Sequence, residues 1–267
     1  MNILQQIVEH KKQEIAEAKN RLPESVLRNK AFCPKKRRCF LKRLLKPGPS
    51  GGNVIAEIKR ASPSKGMIRP DLDVVKYASD YERGGASALS VLTDSCYFKG
   101  SIEDLKKARE STLLPVLRKD FIISSYQIYE SLAMGADAVL LIVRILSSQQ
   151  LKDYIDLCTK IGVDVLVETH SKEEIETATM AGAKLIGINN RNLSSFKTDV
   201  ETSARLASLL SPDQIAVAES GIKSREDIEK LMDAGIRNFL IGESLLRAPD
   251  AIAFLRTLLG TKSKIGI

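Results

Sequence analysis

The chain has 267 residues and a formal net charge of +8, with 43% hydrophobic and 28% charged residues, which is typical of globular rather than disordered proteins. Its four cysteines, Cys33, Cys39, Cys96 and Cys158, form no C-x-x-C pair and its histidines number only two, so we expect neither a metal site nor a disulfide framework. No apolar run approaches the roughly 18 residues that span a bilayer, and no signal-peptide core is present, so we expect a cytoplasmic protein without membrane contact.

The first fifty residues carry nearly all of the net positive charge. They hold 13 lysines and arginines against four glutamates, whereas the remaining residues, with 28 basic and 29 acidic side chains, are close to neutral. Apolar positions such as Ile3, Ile7 and Ile15 follow a helical period, which predicts an amphipathic helix over residues 2–20 that packs on the rest of the chain. Residues 30–52 are predicted to be a basic segment followed by a linker. Such a charge run is usually a solvated face, so no nucleic-acid partner is expected.

A repeating pattern begins at residue 54, where short apolar runs alternate with amphipathic helical stretches, as in successive βαβ units. Eight runs are present, and in chain order they are VIAEIK from Val54, ALSVLTD from Ala88, PVLRKD from Pro115, AVLLIV from Ala138, DVLVET from Asp164, LIGINN from Leu185, IAVAES from Ile215 and FLIGES from Phe239. Gly85, Gly135, Gly182 and Gly235 precede every second run, and each is predicted to end a helix in the left-handed conformation.

Eight repeats predict closure into a barrel. The predicted fold class is therefore α/β, a (β/α)₈ TIM barrel over residues 54–260 with an N-terminal helical extension and basic linker over residues 1–50. Residues 1–267 are expected to form one domain, because such barrels routinely occupy about 250 residues. An open doubly wound sheet would normally carry a glycine-rich dinucleotide turn after its first strand, and no such turn follows Lys59.

Polar side chains interrupt the apolar runs at their carboxyl ends, which is where barrel enzymes build their active sites. Glu57 and Lys59 lie two residues apart, so strand alternation points them to the same side. The other ends carry Lys119, Glu168, Asn189 and Glu219. Burial of a lone charge is costly, so a ring of charges is either mutually paired or arranged for a ligand. The pattern favours a catalytic site at this end of the barrel. Arg118 and Asp120 are better explained as a structural salt bridge at its rim.

Two loops are candidates for a phosphate site, because the loops after strands seven and eight of such barrels often bind phosphate through backbone N–H groups. They are Glu219-Ser220-Gly221 and Gly242-Glu243-Ser244. Glycine allows close backbone approach and Ser220 adds a hydroxyl donor, whereas the Glu243 carboxylate is expected to point away while its N–H contributes. The sequence therefore predicts a small phosphorylated substrate.

Taken together, these segments resemble the indole-3-glycerol phosphate synthase family of tryptophan biosynthesis over nearly the whole chain. The matching segments are AEIKRASPSKG from Ala56, LTDSCYFKGS from Leu92, LRKDFI from Leu117, LVETH from Leu166, IGINNRNL from Ile186, AESGI from Ala218 and IGESLLR from Ile241. The resemblance implies a carboxy-lyase that cyclises 1-(2-carboxyphenylamino)-1-deoxyribulose 5-phosphate with loss of carbon dioxide and then water. It implies no metal and no organic cofactor, and it leaves room for association with other tryptophan-pathway enzymes.

The resemblance also implies catalytic roles for six residues. They are Glu57, Lys59, Lys119, Glu168, Asn189 and Glu219. Lys119 would act as the general acid on the substrate carbonyl, its ammonium stabilising the charge that develops there. Glu57, Lys59 and Glu168 would supply the acid and the base for dehydration, oriented by the remaining two residues. The division of those roles stays open, because closely coupled groups titrate as a set.

Substrate-binding residues follow from the same resemblance. Arg191 would pair with the substrate carboxylate through the bidentate geometry of a guanidinium, and Phe121 would line the pocket of the aromatic ring. The phosphate would be held by Ser62, Lys59, Ser220, Gly221, Gly242 and Glu243. Residues 61–69 would form a mobile loop that closes over the substrate. Two features depart from the expected pattern: Arg144 follows the fourth strand, and the stretch from Lys35 is more basic than this function needs.

Three other interpretations stay open on the sequence alone. A Schiff-base aldolase could use Lys119 or Lys59 as an amine nucleophile, and borohydride would trap its covalent adduct. An isomerase of phosphoribosyl anthranilate would want an Asp and Cys acid–base pair, whereas this mouth offers Lys and Glu. A barrel that only binds anionic ligands or nucleic acid would retain DNA through residues 30–46 in a salt-sensitive way.

Overall fold

The structure is a computed structural model that describes residues 3–31, 37–48, 50–192 and 196–261. Its strands are β1 (Asn53–Ile58), β2 (Ala61–Ser62), β3 (Gly66–Met67), β4 (Ala88–Leu92), β5 (Val116–Lys119), β6 (Ala138–Ile142), β7 (Asp164–Thr169), β8 (Leu185–Asn189), β9 (Ile215–Glu219) and β10 (Asn238–Ile241). Strands β1 and β4–β10 pair in parallel, each with the next in the chain, and β10 pairs with β1 to close the barrel. The predicted eight-stranded (β/α)₈ barrel is confirmed.

Helices cover the outside of the barrel and extend it at the N-terminal side. They are α1 (Ile3–Arg21), α2 (Glu24–Ala31), α3 (Phe40–Leu45), α4 (Val74–Gly84), α5 (Ile102–Glu110), α6 (Ser125–Ala133), α7 (Ser148–Ile161), α8 (Lys172–Met180), α9 (Glu201–Ala207), α10 (Arg225–Asp233), α11 (Glu243–Arg247) and α12 (Ala251–Leu259). Gly85, Gly135, Gly182 and Gly235 lie within two residues of a helix end with φ between 85° and 98°, as predicted. The N-terminal helix is also confirmed.

Alternating side chains of the strands separate two environments. The outward-facing residues pack against the surrounding helices, whereas the inward-facing ones fill the barrel, as the two-residue period of a strand requires. The interior set includes Ile55, Ala88, Leu117, Leu140, Leu166, Leu185, Val217 and Leu240. Phe40 and Leu44 of α3 join this set, so α3 packs on the barrel interior from the amino-terminal end of the strands.

Residues 30–52 contain more regular structure than the predicted basic segment and linker. Helix α2 continues to Ala31, and α3 occupies the middle of the range. The prediction was wrong for α3 because six residues are too few to display a helical period, and so short a helix depends on tertiary packing. Its position is fixed by Asp164, whose carboxylate accepts from the backbone N of Leu41 at 2.8 Å, and by Asn53, which donates to the carbonyl of Leu44 at 3.3 Å.

The basic stretch was interpreted as a solvated face, and that interpretation is wrong for Arg38. Its side chain donates to the carbonyls of Leu114 at 2.8 Å and Arg109 at 3.0 Å, and its backbone N donates to Asp137 at 2.9 Å. These contacts fasten the extension to the barrel exterior. Lys35 and Lys36 belong to the same stretch and lie outside the described residues.

Candidate functional site

A cavity of about 740 Å³ opens at the carboxyl-terminal end of the barrel strands. All thirteen residues that the sequence nominated for catalysis or binding line it: Glu57, Lys59, Ser62, Lys119, Phe121, Glu168, Asn189, Arg191, Glu219, Ser220, Gly221, Gly242 and Glu243. They come from six of the eight barrel strands and from the loops that follow them, so the convergence depends on barrel closure. The structure brings the set together, and the role of each member stays a prediction.

Lys119 lies among the charged side chains at the base of the cavity. This group, here called the floor, consists of Glu57, Lys59, Lys119, Glu168 and Glu219. Its Nζ is 2.8 Å from Oε2 of Glu219 and 3.2 Å from Oε2 of Glu168, so one ammonium bridges the ends of β7 and β9. Burial alone lowers the pKa of Lys119, but the surrounding carboxylates outweigh that effect and raise the pKa above its usual value. The lysine is therefore an ammonium at neutral pH.

Glu57 and Lys59 form a second ion pair on the same floor. Their Oε1 and Nζ atoms are 2.5 Å apart, which agrees with the predicted common side of the strand end. Burial raises the pKa of Glu57, yet the attraction of Lys59 and Lys119 is larger in sum, and the pKa lies below its usual value. Glu57 is therefore ionised at neutral pH.

Glu168 is held by neighbours on three sides. Besides Lys119, its Oε1 accepts from Nδ2 of Asn189 at 3.0 Å and lies 3.5 Å from Nε2 of His170. Burial raises its pKa, but Lys119 and His170 together lower it below the usual value. Asn189 thus donates to a carboxylate, while its own Oδ1 accepts from the backbone N of Arg191 at 3.0 Å.

Glu219 differs from the other two carboxylates. It is 1% exposed, and its Oε1 has no hydrogen-bond partner among the described residues. Burial raises its pKa, Lys119 lowers it, and the nearby Glu168 raises it again, so that the net result is a pKa of about 7. Glu219 therefore exchanges its proton close to neutral pH, in a site where the neighbouring carboxylates stay ionised.

Glu219→Gln is expected to stabilise the protein at high pH. Because folding raises the pKa of Glu219 from about 4.5 to about 7, the stability conferred by its protonated form is complete below pH 4.5 and is lost as the pH rises through 7. A neutral amide escapes that loss, so the free energy of unfolding should rise by about 1–3 kcal/mol at pH 8 and change little at pH 5. Urea denaturation at both pH values measures this, with Glu176→Gln on the exposed surface as the control. An equal change at both pH values would exclude ionisation as the cause.

Two glycines leave room for the carboxylates of Glu57 and Glu219. A Cβ at Gly187, on β8, would overlap Oε1 of Glu219 and would lie 3.2 Å from its Cδ. A Cβ at Gly242 would lie 2.5 Å from Oε1 of Glu57 and 3.1 Å from its Cβ. At each position the contact with the carboxylate oxygen is far inside ordinary van der Waals distance, so a side chain there would displace that carboxylate.

One wall of the cavity is apolar. It is formed by Ile3, Leu4, Ile7, Leu92, Phe98, Phe121, Leu140 and Ile142. Phe98 and Phe121 contact each other with ring centroids 6.0 Å apart. The first three residues belong to α1, so the N-terminal helix that the sequence predicted to pack on the barrel also forms part of the cavity wall. This wall suits a planar aromatic group.

The loops after β9 and β10 face the opposite side of the cavity. Ser220 and Gly221 have successive positive φ values of 67° and 82°, and Asn190 secures the turn by donating to the Ser220 carbonyl at 3.0 Å. Positive φ is costly for serine, and such strained turns occur at ligand sites. Glu243 is 3.1 Å from Arg247 and 4.0 Å from Arg191, so its carboxylate is engaged by guanidinium groups as its backbone begins α11.

The comparison with known families agrees with this geometry. The model of the indole-3-glycerol phosphate synthase family matches residues 4–258. The chain belongs to the indole-3-glycerol phosphate synthase family. Two curated proteins named indole-3-glycerol phosphate synthase illustrate the similarity. That of Desulfosudis oleivorans is 57% identical over 97% of this chain and 99% of its own length, and that of Syntrophobacter fumaroxidans is 51% identical over 97% and 98%.

A solved structure outside the indole-3-glycerol phosphate synthase family shares the barrel. Thiamine phosphate pyrophosphorylase from Pyrococcus furiosus superposes with a TM-score of 0.59 over 78% of this chain and 94% of its own. Its sequence identity is 16%, so the similarity shows the fold alone.

Arg144, the apparent departure from the indole-3-glycerol phosphate synthase pattern, does not add charge to the mouth. It lies in a short 3₁₀ turn after β6 and pairs with Glu174 of α8 at 2.7 Å. Glu174 therefore balances the charge of this guanidinium. Arg118 and Asp120 form the predicted salt bridge at 3.0 Å.

Two residues near the family site were missed by the sequence analysis. His170 contacts Glu168. This contact could have been predicted, since the two residues lie two apart at the end of β7 and strand alternation points them to the same side. Lys11 on α1 is 1% exposed and contacts carboxylates that follow β4 and β5. A lysine within an amphipathic helix of alternating charge gives no sign of burial, so only the tertiary structure identifies it.

The described residues contain no group of three His, Cys, Asp or Glu side chains arranged to hold a metal ion. In the same part of the chain, no helix combines the length and apolarity that crossing a membrane requires.

Proposed function

We propose that this chain closes the indole ring of indole-3-glycerol phosphate from 1-(2-carboxyphenylamino)-1-deoxyribulose 5-phosphate, releasing carbon dioxide and water. The observation that carries the proposal is Lys119, an ammonium bridging two buried carboxylates on the floor of a cavity with an apolar wall and a pair of glycine-containing loops. The substrate has three matching parts: an aromatic ring, a ketone and a phosphate. The family assignment supports the same reaction.

Ring closure begins at the ketone. Lys119 donates a hydrogen bond and then a proton to the carbonyl oxygen as the carboxylate-bearing ring carbon forms a bond to the carbonyl carbon. Because its pKa is raised, Lys119 releases its proton less readily and stays charged. Its main contribution is therefore stabilisation of the developing alkoxide. Carbon dioxide leaves from the ring carbon, and its bonding electrons restore the aromatic ring.

Dehydration follows on the same floor. The new hydroxyl leaves as water with a proton from an acid, and a base removes a proton from the neighbouring carbon to form the indole double bond. Glu168 is suited to be the base, because its lowered pKa keeps it ionised. Lys59, paired with Glu57, is suited to be the acid. Glu219 holds Lys119 and accepts or releases a proton near neutral pH between the two stages.

Substrate binding uses the walls of the cavity. Phe121 and the apolar wall contact the aromatic ring, and Arg191 pairs with the ring carboxylate, a bidentate contact that requires release from Glu243. The phosphate binds to backbone N–H groups at Ser220-Gly221 and Gly242-Glu243, with Ser62 and Lys59 at its side. The hairpin of β2 and β3 within residues 61–69 is the segment that closes over it.

The aldolase interpretation is disfavoured by electrostatics. A Schiff-base lysine attacks as a neutral amine and needs a lowered pKa, whereas the carboxylates around Lys119 raise it. The isomerase interpretation is disfavoured by the lining of the cavity, since the three described cysteines, Cys39, Cys96 and Cys158, lie outside it.

Turnover is the direct test. Purified protein with the carboxyphenylamino-deoxyribulose phosphate in chelator-treated buffer should give the fluorescence of the indole product, because the proposed steps use only side chains of this chain. A silent protein would contradict the proposal, and reduction with borohydride in the presence of a sugar phosphate would then test the aldolase. The proposal includes a single-domain protein working in the cytoplasm, and association with other tryptophan-pathway enzymes stays a prediction.

A further inference from the structure

The buried ammonium of Lys11 is outside the machinery described so far. Its Nζ lies 3.2 Å from Asp94, 3.0 Å from Asp120 and 2.8 Å from Glu14, and the two aspartate side chains are fully buried. Burial lowers the pKa of Lys11, but Asp120 and the other carboxylates raise it above its usual value, so the charge is retained. A buried charge with several partners is costly to remove and holds its partners in one geometry.

Each aspartate partner positions one aromatic residue of the apolar wall. Asp94 accepts through Oδ1 from the backbone N atoms of Tyr97 and Phe98 at 2.7 and 3.1 Å. Asp120 accepts through Oδ1 from the backbone N of Phe121 at 2.8 Å. These two phenylalanines contact each other on the cavity wall.

The third connection is the helix of Lys11 itself. Residue 11 lies one helical turn beyond Ile7, and α1 places Ile3, Leu4 and Ile7 on the same cavity wall. One ammonium therefore joins three separate pieces of chain, namely α1, the loop after β4 and the loop after β5, at the point where they form the apolar wall.

We propose that Lys11 is a positioning residue that assembles the pocket for the aromatic ring of the substrate; this rests on the proposed function. Lys11 does not touch the lysine and carboxylates of the floor. Its loss should therefore weaken substrate binding while leaving the chemical steps largely intact, which appears as a raised KM with little change in kcat.

The test compares three variants. Lys11→Met keeps the length of the side chain and removes the charge, which takes the ammonium from the buried Asp94 and leaves Asp120 paired with Arg118. Lys11→Met combined with Asp94→Asn restores the charge balance, and the asparagine oxygen still accepts from the backbone of the loop. The neighbouring Lys12→Met is the control, since Lys12 is exposed and pairs at the surface with Glu9.

Lys11→Met is expected to raise KM about tenfold or more with kcat within about threefold, and Lys12→Met to change neither. The double variant should regain thermal stability and keep the raised KM. A wild-type KM in the double variant would mean that Lys11 only balances the charge of the aspartates. A fall in kcat at constant KM would mean that Lys11 acts on the chemical steps. Either result overturns the proposal.

Hydrogen exchange separates this proposal from the proposed function. The backbone amides of α1 should exchange about tenfold faster in the double variant than in the wild type, a measurement that needs no turnover. If the wild type fails to turn over, the proposed function fails while exchange still tests the connection through Lys11. Unchanged exchange in α1 would overturn it.

Discussion

Lys119→Met should lower kcat/KM by about 10³-fold or more, the largest effect expected of any single substitution in this chain. General acid catalysis contributes about 10²–10⁴-fold and electrostatic stabilisation about 10²–10³-fold, and Lys119 is proposed to supply both at the carbonyl. Methionine approximates the shape of the side chain, so the loss reports charge rather than packing. Progress curves of indole fluorescence at saturating and limiting substrate measure kcat and kcat/KM.

The same substitution has an electrostatic consequence that serves as a check. Without the ammonium, the pKa values of Glu168 and Glu219 must both rise, because the attraction of Lys119 lowers each of them. The residual activity should therefore shift its pH dependence to higher pH. Lys184→Met is the matched control, since Lys184 is exposed and pairs with Asp213 at the surface. A loss smaller than tenfold in folded Lys119→Met protein would remove Lys119 from the chemistry.

Gly187→Ala is expected to lower both activity and stability although it leaves every charged residue in place. The added methyl group overlaps Oε1 of Glu219 and lies 3.3 Å from Cδ1 of Leu166, so the carboxylate has to move. Overpacking of this kind costs about 1–3 kcal/mol, and a displacement of about 1 Å at a catalytic group costs about 10²-fold in rate. We therefore expect both a lower free energy of unfolding and a kcat reduced by about 10²-fold.

A double variant distinguishes this clash from general damage to β8. In a Glu219→Ala background the methyl group at position 187 meets no carboxylate, so Gly187→Ala should then cost less than about 1 kcal/mol. Denaturation of the wild type, the two single variants and the double variant completes the cycle. Additive costs would mean that Gly187 does not act through Glu219.

The residues of the floor could be predicted from the sequence because they recur at the ends of successive strands. Each of Lys119, Glu168 and Glu219 ends an apolar run, and parallel strands in a closed barrel must bring such ends together. The sequence could not order these groups by proton affinity. Glu168 and Glu219 occupy equivalent positions in their strands, yet Lys119 and His170 lower the pKa of Glu168, whereas burial, together with the nearby Glu168, raises the pKa of Glu219.

Features that depend on contacts between distant segments escaped prediction. Nothing in the letters FLKRLL distinguishes α3 from a linker, because its helical state depends on the barrel interior beneath Phe40 and Leu44. Lys11 resembles Lys12 in sequence, and only the aspartates more than eighty residues away separate a buried ammonium from an exposed one. The requirement for glycine at position 187 likewise comes from a carboxylate on the neighbouring strand, with which a side chain would collide.

The attachment of the N-terminal helices has a consequence for synthesis on the ribosome. The segment from α1 to α3 is translated before the residues that anchor it: Lys11 pairs with Asp120, Tyr126 donates to Ala18, and Leu41 donates to Asp164. All residues up to Asp164 have to emerge before these helices have the partners named here. Contacts of such sequence separation slow folding and leave apolar surface uncovered in the meantime. The nascent chain therefore presents this segment to chaperones until those partners have emerged.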